Sequence, residues 1–143
     1  MSRLESISRE ECLAILASRS VGRVAFVTDK HPVVFPVNYQ IDGDVIVFRT
    51  SAGTALVESS LTHVAFEIDD IDIEARGGWS VLVQGVAQEI TEALDTRSER
   101  LLALPVEPWP SGPRHRWMRI LPRSITGRRL VSDAEAGGPA PAG

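Results

Sequence analysis

The stretch Val33–Thr50, VVFPVNYQIDGDVIVFRT, holds two runs of β-branched and aromatic residues on either side of Asp42-Gly43-Asp44. An Asp-Gly pair between such runs is a strong signal for a β-hairpin, because glycine readily takes the positive φ that a tight turn needs. Pro36 interrupts the first run, and since proline donates no ladder hydrogen bond, it indicates an edge, a bulge or a kink. The stretch therefore predicts two paired antiparallel strands.

Further strands are predicted on both sides of this hairpin, each a short run rich in β-branched residues between turn signals. They cover Val24–Val27, His63–Ile68, Trp79–Ile90 and Trp117–Leu121, with a second piece of the last strand at Ile125–Val131. Gly85 lies inside one of these runs, where it predicts a bulge or a bend. Because helices do not alternate with the strands, the sequence predicts a mainly β fold: a closed or nearly closed antiparallel barrel with peripheral helices.

Three helices are predicted outside the barrel. The first begins at Ser8, because Ser8 and Glu11 have the spacing of a capping box, and an apolar stripe follows at Cys12, Ile15 and Leu16. It is expected to end in the mostly polar stretch 18–22, which closes on glycine. The other two helices are predicted over 55–60 and 91–104, and the prolines that follow the last one prevent any regular element.

The composition is that of one folded, soluble domain. The 143 residues are 43% hydrophobic and 24% charged, and they contain no apolar run of about eighteen residues that could span a membrane. Residues 1–131 are expected to form the domain, and residues 132–143, poor in large apolar side chains, a disordered tail. The formal charge of -4 argues against nucleic-acid and membrane partners, so any phosphate site must be local.

The first residues and the cysteine content indicate the cytoplasm. Segment 1–11 lacks the apolar run of a signal peptide, and Cys12 is the single cysteine, so no intramolecular disulfide can form. Because Cys12 lies on the apolar stripe of the first helix, it is interpreted as a packed thiol rather than a nucleophile. A cytoplasmic location is therefore expected.

Motifs of the common catalytic and metal sites are missing. The chain has no nucleophile elbow, no Walker loop, no H-E-x-x-H and no paired C-x-x-C, so no metal site and no catalytic acid or base is assigned. His31, His63 and His115 lie far apart in sequence and are interpreted as structural or exposed. The acidic residues between Glu67 and Glu74 lack the pattern of a calcium loop and are interpreted as a solvated strand end.

The segment Phe48–Thr54, FRTSAGT, has the composition of a phosphate site, because a strand leads through small residues into a predicted helix. The first N–H groups of a helix have no partner inside it, Arg49 can supply a two-pronged charged donor, and nearby hydroxyls can complete the shell. Taken alone, the segment fits a surface arginine followed by an ordinary turn equally well.

Six segments, taken in order, resemble the pyridoxamine 5'-phosphate oxidase-like flavin-binding family. They are PVNY at 36–39, FRTSAGT at 48–54, VAFEID at 64–69, GWSVLVQG at 78–85, WMRI at 117–120 and ITGRR at 125–129. The resemblance covers about residues 5–131 and depends on the order and intervals of the segments rather than on any single one. It implies an antiparallel six- to seven-stranded split β-barrel that binds FMN between the two subunits of a homodimer.

The resemblance also implies which residues bind the cofactor. Those along the flavin ring, contributing largely backbone groups, would be Pro36, Val37 and Asn38. Those around the FMN phosphate would be Arg49 and Thr50, with Ser51 and Thr54 nearby. Those approaching from the partner chain would be Trp79, Ser80, Gln84 and, as a further candidate, Trp117. For Trp79, a core or interface position without cofactor contact is an equal alternative.

One position departs from the family pattern. Family members commonly carry a lysine after the Gly-Thr pair of the phosphate loop, whereas Gly53-Thr54 is followed here by Ala55. One charge partner of the phosphate is therefore missing. Weaker FMN binding, a different flavin such as a deazaflavin, and loss of the cofactor are the three alternatives.

Two functions remain open from the sequence. The first is an FMN-dependent oxidoreductase with a small-molecule substrate, in which the flavin carries the redox chemistry. The alternative is a non-catalytic module that binds or stores a flavin, a deazaflavin or heme, which Ala55 favours. In either case a homodimer is expected, because apolar strand faces such as that of Val81 and Val83 would need cover from a second subunit.

Overall fold

The computed structural model describes residues 2–51, 61–91, 95–106 and 115–132. These residues form seven strands and two helices. In chain order the elements are β1 (Ser2–Ile7), α1 (Arg9–Ala17), β2 (Val21–Thr28), β3 (His31–Asp42), β4 (Val45–Ser51), β5 (Thr62–Asp72), β6 (Gly77–Glu89), α2 (Ser98–Leu102) and β7 (His115–Ser132). The predicted helix 55–60 and residues 133–143 of the predicted tail 132–143 lie outside the described residues, whereas Ser132 is the last residue of β7.

All seven strands belong to one antiparallel sheet in the order β1-β7-β4-β3-β2-β5-β6, and the sheet closes on itself because β6 also pairs with β7. The long β7 makes this closure possible. Its first half pairs with β4 and its second half with β1, while β6 runs along its other side. The predicted antiparallel split barrel of six to seven strands with peripheral helices is confirmed.

The barrel interior is filled by alternate residues of the strands, as the two-residue period of a strand requires. On β5 and β6 these inward residues are Val64, Phe66, Ile68, Val81, Val83 and Ala87, all of them buried. The expectation that the Val81 and Val83 face would need cover from a second subunit is therefore wrong, because the barrel of the same chain already encloses it.

One exposed apolar surface lies on the outside of β2 and β3. Val27 and Val34 are each 63% exposed, and Leu61, which precedes β5, is 56% exposed. In the β2–β3 ladder, Val34 is the partner of Ala25 and Val27 is the partner of Pro32, so these four side chains share one face. A second subunit could cover this β2–β3 outer face.

The hairpin and the first helix form where the sequence predicts them. The β3–β4 ladder ends at the pair Asp42 and Val45, and Gly43 in the turn has a φ of 65°, which glycine adopts without strain. The backbone N–H of Glu11 donates to Ser8 Oγ at 3.2 Å, so the predicted cap of α1 is confirmed. The predicted bulge at Gly85 is also found, as a register shift between Gln84 and Gly85.

Pro36 lies on a strand edge, which is one of the three alternatives that it indicated. The β3–β4 ladder begins only at Tyr39, and the preceding residues of β3 pair with β2 alone among the described strands. Proline is tolerated there because none of the described strands pairs with it on the side away from β2. The two strands of the hairpin thus separate beyond Tyr39 and Phe48, and this separation positions the candidate site.

Candidate functional site

Arg49 is the centre of the candidate site. It follows the fully buried Phe48 on β4, so its side chain projects from the opposite, outer face of the barrel. The guanidinium carbon lies 5.0 Å from the ring centroid of Trp117, and Nη1 donates to the carbonyl of Val106 at 3.3 Å. The Nε atom is buried and finds no hydrogen-bond partner among the described residues. Two contacts therefore restrain the Arg49 guanidinium, and its Nε–H remains available to a ligand.

The surroundings of Arg49 are unusually apolar for the outside of a barrel. Val45 and Val47, which precede it on the same outer face of β4, are buried under Leu101 and Val106. Little water reaches this side of the guanidinium, and charge-assisted hydrogen bonds are stronger where the local dielectric is low. The position is suited to an anionic group that accepts from Nε.

The other predicted phosphate residues are only partly described. Thr50 is buried, and its Cα partner on β7 is Arg116. Ser51 ends β4, but its side chain is outside the described part of the structure, as are Thr54 and Ala55. Because Thr50 alternates with Arg49 and lies on the inner face with Phe48, the structural case for a phosphate site depends on Arg49.

The predicted ring-contacting residues lie on the edge of β3 next to Arg49. Val37 points into the core and is buried, so only its backbone is available to a ligand, as the family resemblance implies. Pro36 and Asn38 alternate with it and face outward. Asn38 and Arg49 each lie one residue beyond the pair Tyr39 and Phe48, so the register brings both to the same outer face. The side chain of Asn38 is partly buried and already has interactions of its own.

Trp117 also belongs to this side of the site. Its Cα partner is Arg49, and its ring lies against the guanidinium of the same chain because β4 and β7 are paired. Trp117 is also the further candidate for an approach to the site of the partner chain, and that approach stays a prediction. A cation over an aromatic face is favourable, and the stack restricts the orientation of Arg49.

The remaining three predicted residues lie elsewhere on the barrel. Trp79 packs at one end of the core with the Arg19 guanidinium 5.0 Å from its ring centroid, and Gln84 accepts from Ser124 Oγ at 3.3 Å. Trp117 and Ser124 are seven residues apart on β7, which is roughly 20 Å in an extended strand. Ser80, paired with Arg128, is farther still. One chain therefore does not bring Trp79, Ser80 and Gln84 to Arg49, and their approach from a partner stays a prediction.

Two surface depressions include these residues. Gln84 lines a groove of about 580 Å³ whose other walls include Ala25, Val27, Pro32, Leu61 and His63. Trp79 and Ser80 line a smaller hollow of about 260 Å³ together with Leu4, Ile71 and Arg128. The larger groove is continuous with the β2–β3 outer face, so covering that face with a second molecule would also cover Gln84.

A charged cluster next to Pro36 was not assigned from the sequence. Arg23 is the Cα partner of both Pro36 and Glu67, and its Nη1 donates to Glu67 Oε1 at 3.1 Å and to Asp69 Oδ2 at 3.2 Å. Burial, with a hydrogen bond and repulsion from Asp69, raises the pKa of Glu67 to about 7 against the opposing effect of Arg23. Arg23 and Glu67 are 44 residues apart in sequence, so only the strand register reveals the pair.

The described residues contain neither a cluster of metal ligands nor a membrane-spanning helix. Within ranges 2–51, 61–91, 95–106 and 115–132, no three His, Cys, Asp or Glu side chains lie together as metal ligands would. None of the helices in those ranges is long and apolar enough to cross a membrane.

The closed antiparallel ring, with an arginine beside an unpaired strand edge, defines a protein of the split β-barrel class. The chain belongs to the pyridoxamine 5'-phosphate oxidase family, whose model matches residues 8–129. The uncharacterized protein Rv0080 of Mycobacterium tuberculosis is 36% identical over 135 residues, which are 90% of this chain and 86% of that protein.

Solved structures extend the likeness. The FAD binding protein of Mycobacterium smegmatis is 35% identical and superimposes with a TM-score of 0.72 over 87% of this chain and 98% of its own. An FAD-binding protein of Mesorhizobium loti, at 22% identity, shares the fold with a TM-score of 0.67 over 88% of this chain and 97% of its own. Flavin-binding proteins are thus among the structural neighbours of this chain.

Proposed function

We propose that this protein is a flavin-dependent oxidoreductase with a small-molecule substrate, working as a cytoplasmic homodimer. The observation that carries the proposal is the buried Nε of Arg49, a donor with no partner among the described residues, beside the unpaired edge of β3. A buried donor without an acceptor is unfavourable, so such a group is expected where a ligand completes the hydrogen bond. The M. smegmatis FAD binding protein, at 35% identity, supports a flavin as that ligand.

A bound flavin would supply hydride or electron transfer through its ring, and the chain would bind, orient and shield it. Arg49 would bind a phosphate through a charge-assisted hydrogen bond, and Thr50 would lie next to it on the strand. The backbone of Pro36, Val37 and Asn38 would lie along the ring. The ring would carry the redox chemistry, so the proposal assigns no catalytic acid or base to the chain.

FMN and FAD place similar total charge on a phosphate site. The terminal phosphate of FMN carries nearly two negative charges at neutral pH, and the two phosphates of FAD carry one each. With Ala55 at the position of the family lysine, one charge partner is missing for either cofactor, so charge alone does not choose between them. FMN is the cofactor implied by the family resemblance, and FAD is the competing candidate that the FAD-binding neighbour supports.

An absorption spectrum of the purified protein, followed by titration with FMN, FAD, riboflavin and a deazaflavin, tests the proposal. We expect a bound flavin, or uptake of at least one of these compounds, and reduction of the bound ring by a nicotinamide nucleotide followed by reoxidation. Failure to bind any of the four would overturn the assignment.

A second candidate function keeps the same site without turnover. Ala55 favours a module that binds or stores a flavin, deazaflavin or heme, because a weakly held cofactor suits carriage better than repeated catalysis. The two functions differ in one measurement: a bound flavin that exchanges with free ligand but is not reduced by any added donor supports the storage module.

A further inference from the structure

Residues 95–106 form a strap across the outside of β4. The strap contains α2, and its Leu101 and Val106 are buried against Val45 and Val47 of that strand. Its last residue, Val106, supplies the carbonyl that accepts from Arg49 Nη1. The position of the strap therefore sets one of the two contacts that hold the Arg49 guanidinium.

At the β3–β4 turn, the Asp42 carboxylate binds two arginines of the strap. Asp42 Oδ2 accepts from Arg97 Nε at 3.2 Å and from Arg100 Nη2 at 2.7 Å, and the Asp42 carbonyl accepts from Arg97 Nη2 at 2.8 Å. Hydrogen bonds from Arg100, followed by those from Arg97, lower the pKa of Asp42 against the effect of burial. The Asp42 carboxylate thus stays ionised across the physiological pH range.

A second tie holds the other end of the strap. Asp95 Oδ2 lies 2.8 Å from Arg119 Nη2, and the Arg119 side chain is only 7% exposed. Asp95 also accepts from the backbone and the hydroxyl of the fully buried Ser98. The strap is therefore fixed at its start by Asp95, in its middle by Asp42 and at its end by packing on β4.

The contact from Val106 determines which edge of Arg49 remains for a ligand. A guanidinium binds a phosphate in two-pronged fashion through neighbouring N–H groups, and Nε with Nη2 forms one such edge. Val106 takes Nη1, while Nε is buried without a partner among the described residues. If the strap moved, Nη1 would be released and the side chain could turn about its long stem.

We propose that Asp42 is a positioning residue for Arg49. Asp42 holds the strap in place by binding Arg97 and Arg100, and the strap orients Arg49 so that its Nε–Nη2 edge can bind a phosphate. This inference rests on the proposed flavin-binding function for the role of that edge. Asp42 lies at the far end of β4 from Arg49 and makes no contact with the guanidinium itself in the described structure, so it acts only through the strap.

The orientation of Arg49 can be measured without any ligand. In ¹H–¹⁵N spectra of arginine side chains, the Arg49 Nε–H signal is assigned from its loss in Arg49→Lys. We expect Asp42→Asn to shift this signal and to speed its exchange with water, because the strap loosens. The matched control is Asp44→Asn, in the same turn, which loses only an exposed pair with Arg9 and should leave the signal in place.

Binding measurements supply the second part of the test. Asp42→Asn should weaken FMN or FAD, whichever binds, by about threefold to tenfold and leave riboflavin within about twofold, since riboflavin has no phosphate. Should Asp42→Asn fold poorly, Arg100→Gln removes the 2.7 Å contact but keeps Arg97 on Asp42, and the same direction is expected.

The possible failures are distinguishable. An Arg49 Nε–H signal that does not respond to Asp42→Asn in the folded protein overturns the positioning role, whatever the flavin measurements give. Equal weakening of riboflavin and the phosphate-bearing flavin also overturns it, because the variant would then act through the whole fold. If the wild type binds no flavin while the signal responds as expected, the flavin function fails and the control of Arg49 by Asp42 stands.

Discussion

At the scale of single residues, Arg49 combines a place on the outer face of the barrel with an Nε donor that is shielded from water. Its neighbours Trp117 and Val106 restrain the guanidinium from two directions, whereas an ordinary surface arginine samples many rotamers. Less rotamer entropy is then lost when a ligand binds. Preorganisation of this kind raises affinity without adding contacts.

Arg49→Ala should weaken binding of a phosphate-bearing flavin by roughly ten- to a hundredfold, because a charge-assisted hydrogen bond contributes on the order of 1.5 to 3 kcal/mol. Riboflavin should be almost unaffected. Fluorescence titration of both ligands against wild type, Arg49→Ala and the exposed control Arg3→Ala measures this. Equal losses for the two ligands would assign Arg49 to the stability of the fold.

Glu67 should make the stability of the protein depend on pH in an unusual direction. Its pKa is raised from 4.5 to about 7 in the folded state, so between these values the folded protein binds a proton that the unfolded chain does not. The free energy of unfolding therefore rises as the pH falls from about 7 towards 4.5, by about 1 kcal/mol after allowance for a one-third exposed, screened group. Glu67→Gln should remove this gain.

Denaturant unfolding at pH 5 and pH 8 tests the prediction through the difference between wild type and variant, which cancels the other carboxylates. Glu5→Gln, in an exposed pair with Arg3, is the control and should keep the wild-type difference. A Glu67→Gln protein with the same pH response as wild type would show that Glu67 is ionised in both states.

At the scale of elements, the parts of the chain with strong local signals could be predicted and those held by distant partners could not. The hairpin around Gly43 and the start of α1 at Ser8 follow from local chemistry. The sequence did not predict strand β1, because SRLESI has no apolar face. This segment is a strand only through its ladder with β7. The helix predicted over 91–104 is confined in the described residues to Ser98–Leu102.

The candidate site divides in the same way. Arg49 and the edge at Pro36 were identifiable because a family pattern marks them, whereas the contact from Val106 and the cluster of Arg23 with Glu67 depend on contacts between segments far apart in sequence. The position of Trp117 beside Arg49 likewise depends on the β4–β7 register. No local pattern encodes such a register.

Ser8→Ala should destabilise the protein by about 1 kcal/mol, because the Glu11 N–H loses its acceptor at the start of α1. For a domain of this size that loss corresponds to a fall in Tm of about 2 to 4 °C. Thermal unfolding of Ser8→Ala beside Ser6→Ala, an exposed serine of β1, measures it. An unchanged Tm in Ser8→Ala would mean that water replaces the cap without loss.

At the scale of the whole molecule, the β2–β3 outer face is where the proposed homodimer should form. Val34→Glu places a charge on that face without disturbing the core, since Val34 is 63% exposed. We expect the variant to sediment as a folded monomer at micromolar concentration and to bind flavin more weakly. Ile73→Glu, at a residue 84% exposed in the turn after β5, is the control and should remain dimeric. A monomeric wild type would contradict the homodimer.

The ring of strands is closed by ladders of very unequal length. β6 pairs with β7 from Gly78 to Glu89, whereas β2 pairs with β5 only from Arg23 to Ala25. Opening the short ladder breaks few hydrogen bonds, so we expect the barrel to open transiently there while the other ladders stay paired. Hydrogen exchange should show those amides of 23–25 that donate to β5 exchanging through local opening long before those at the centre of β6, while the amides that donate to β3 stay protected. The ring is therefore expected to open and close at the β2–β5 ladder, and β2 and β5 then become edge strands for a short time.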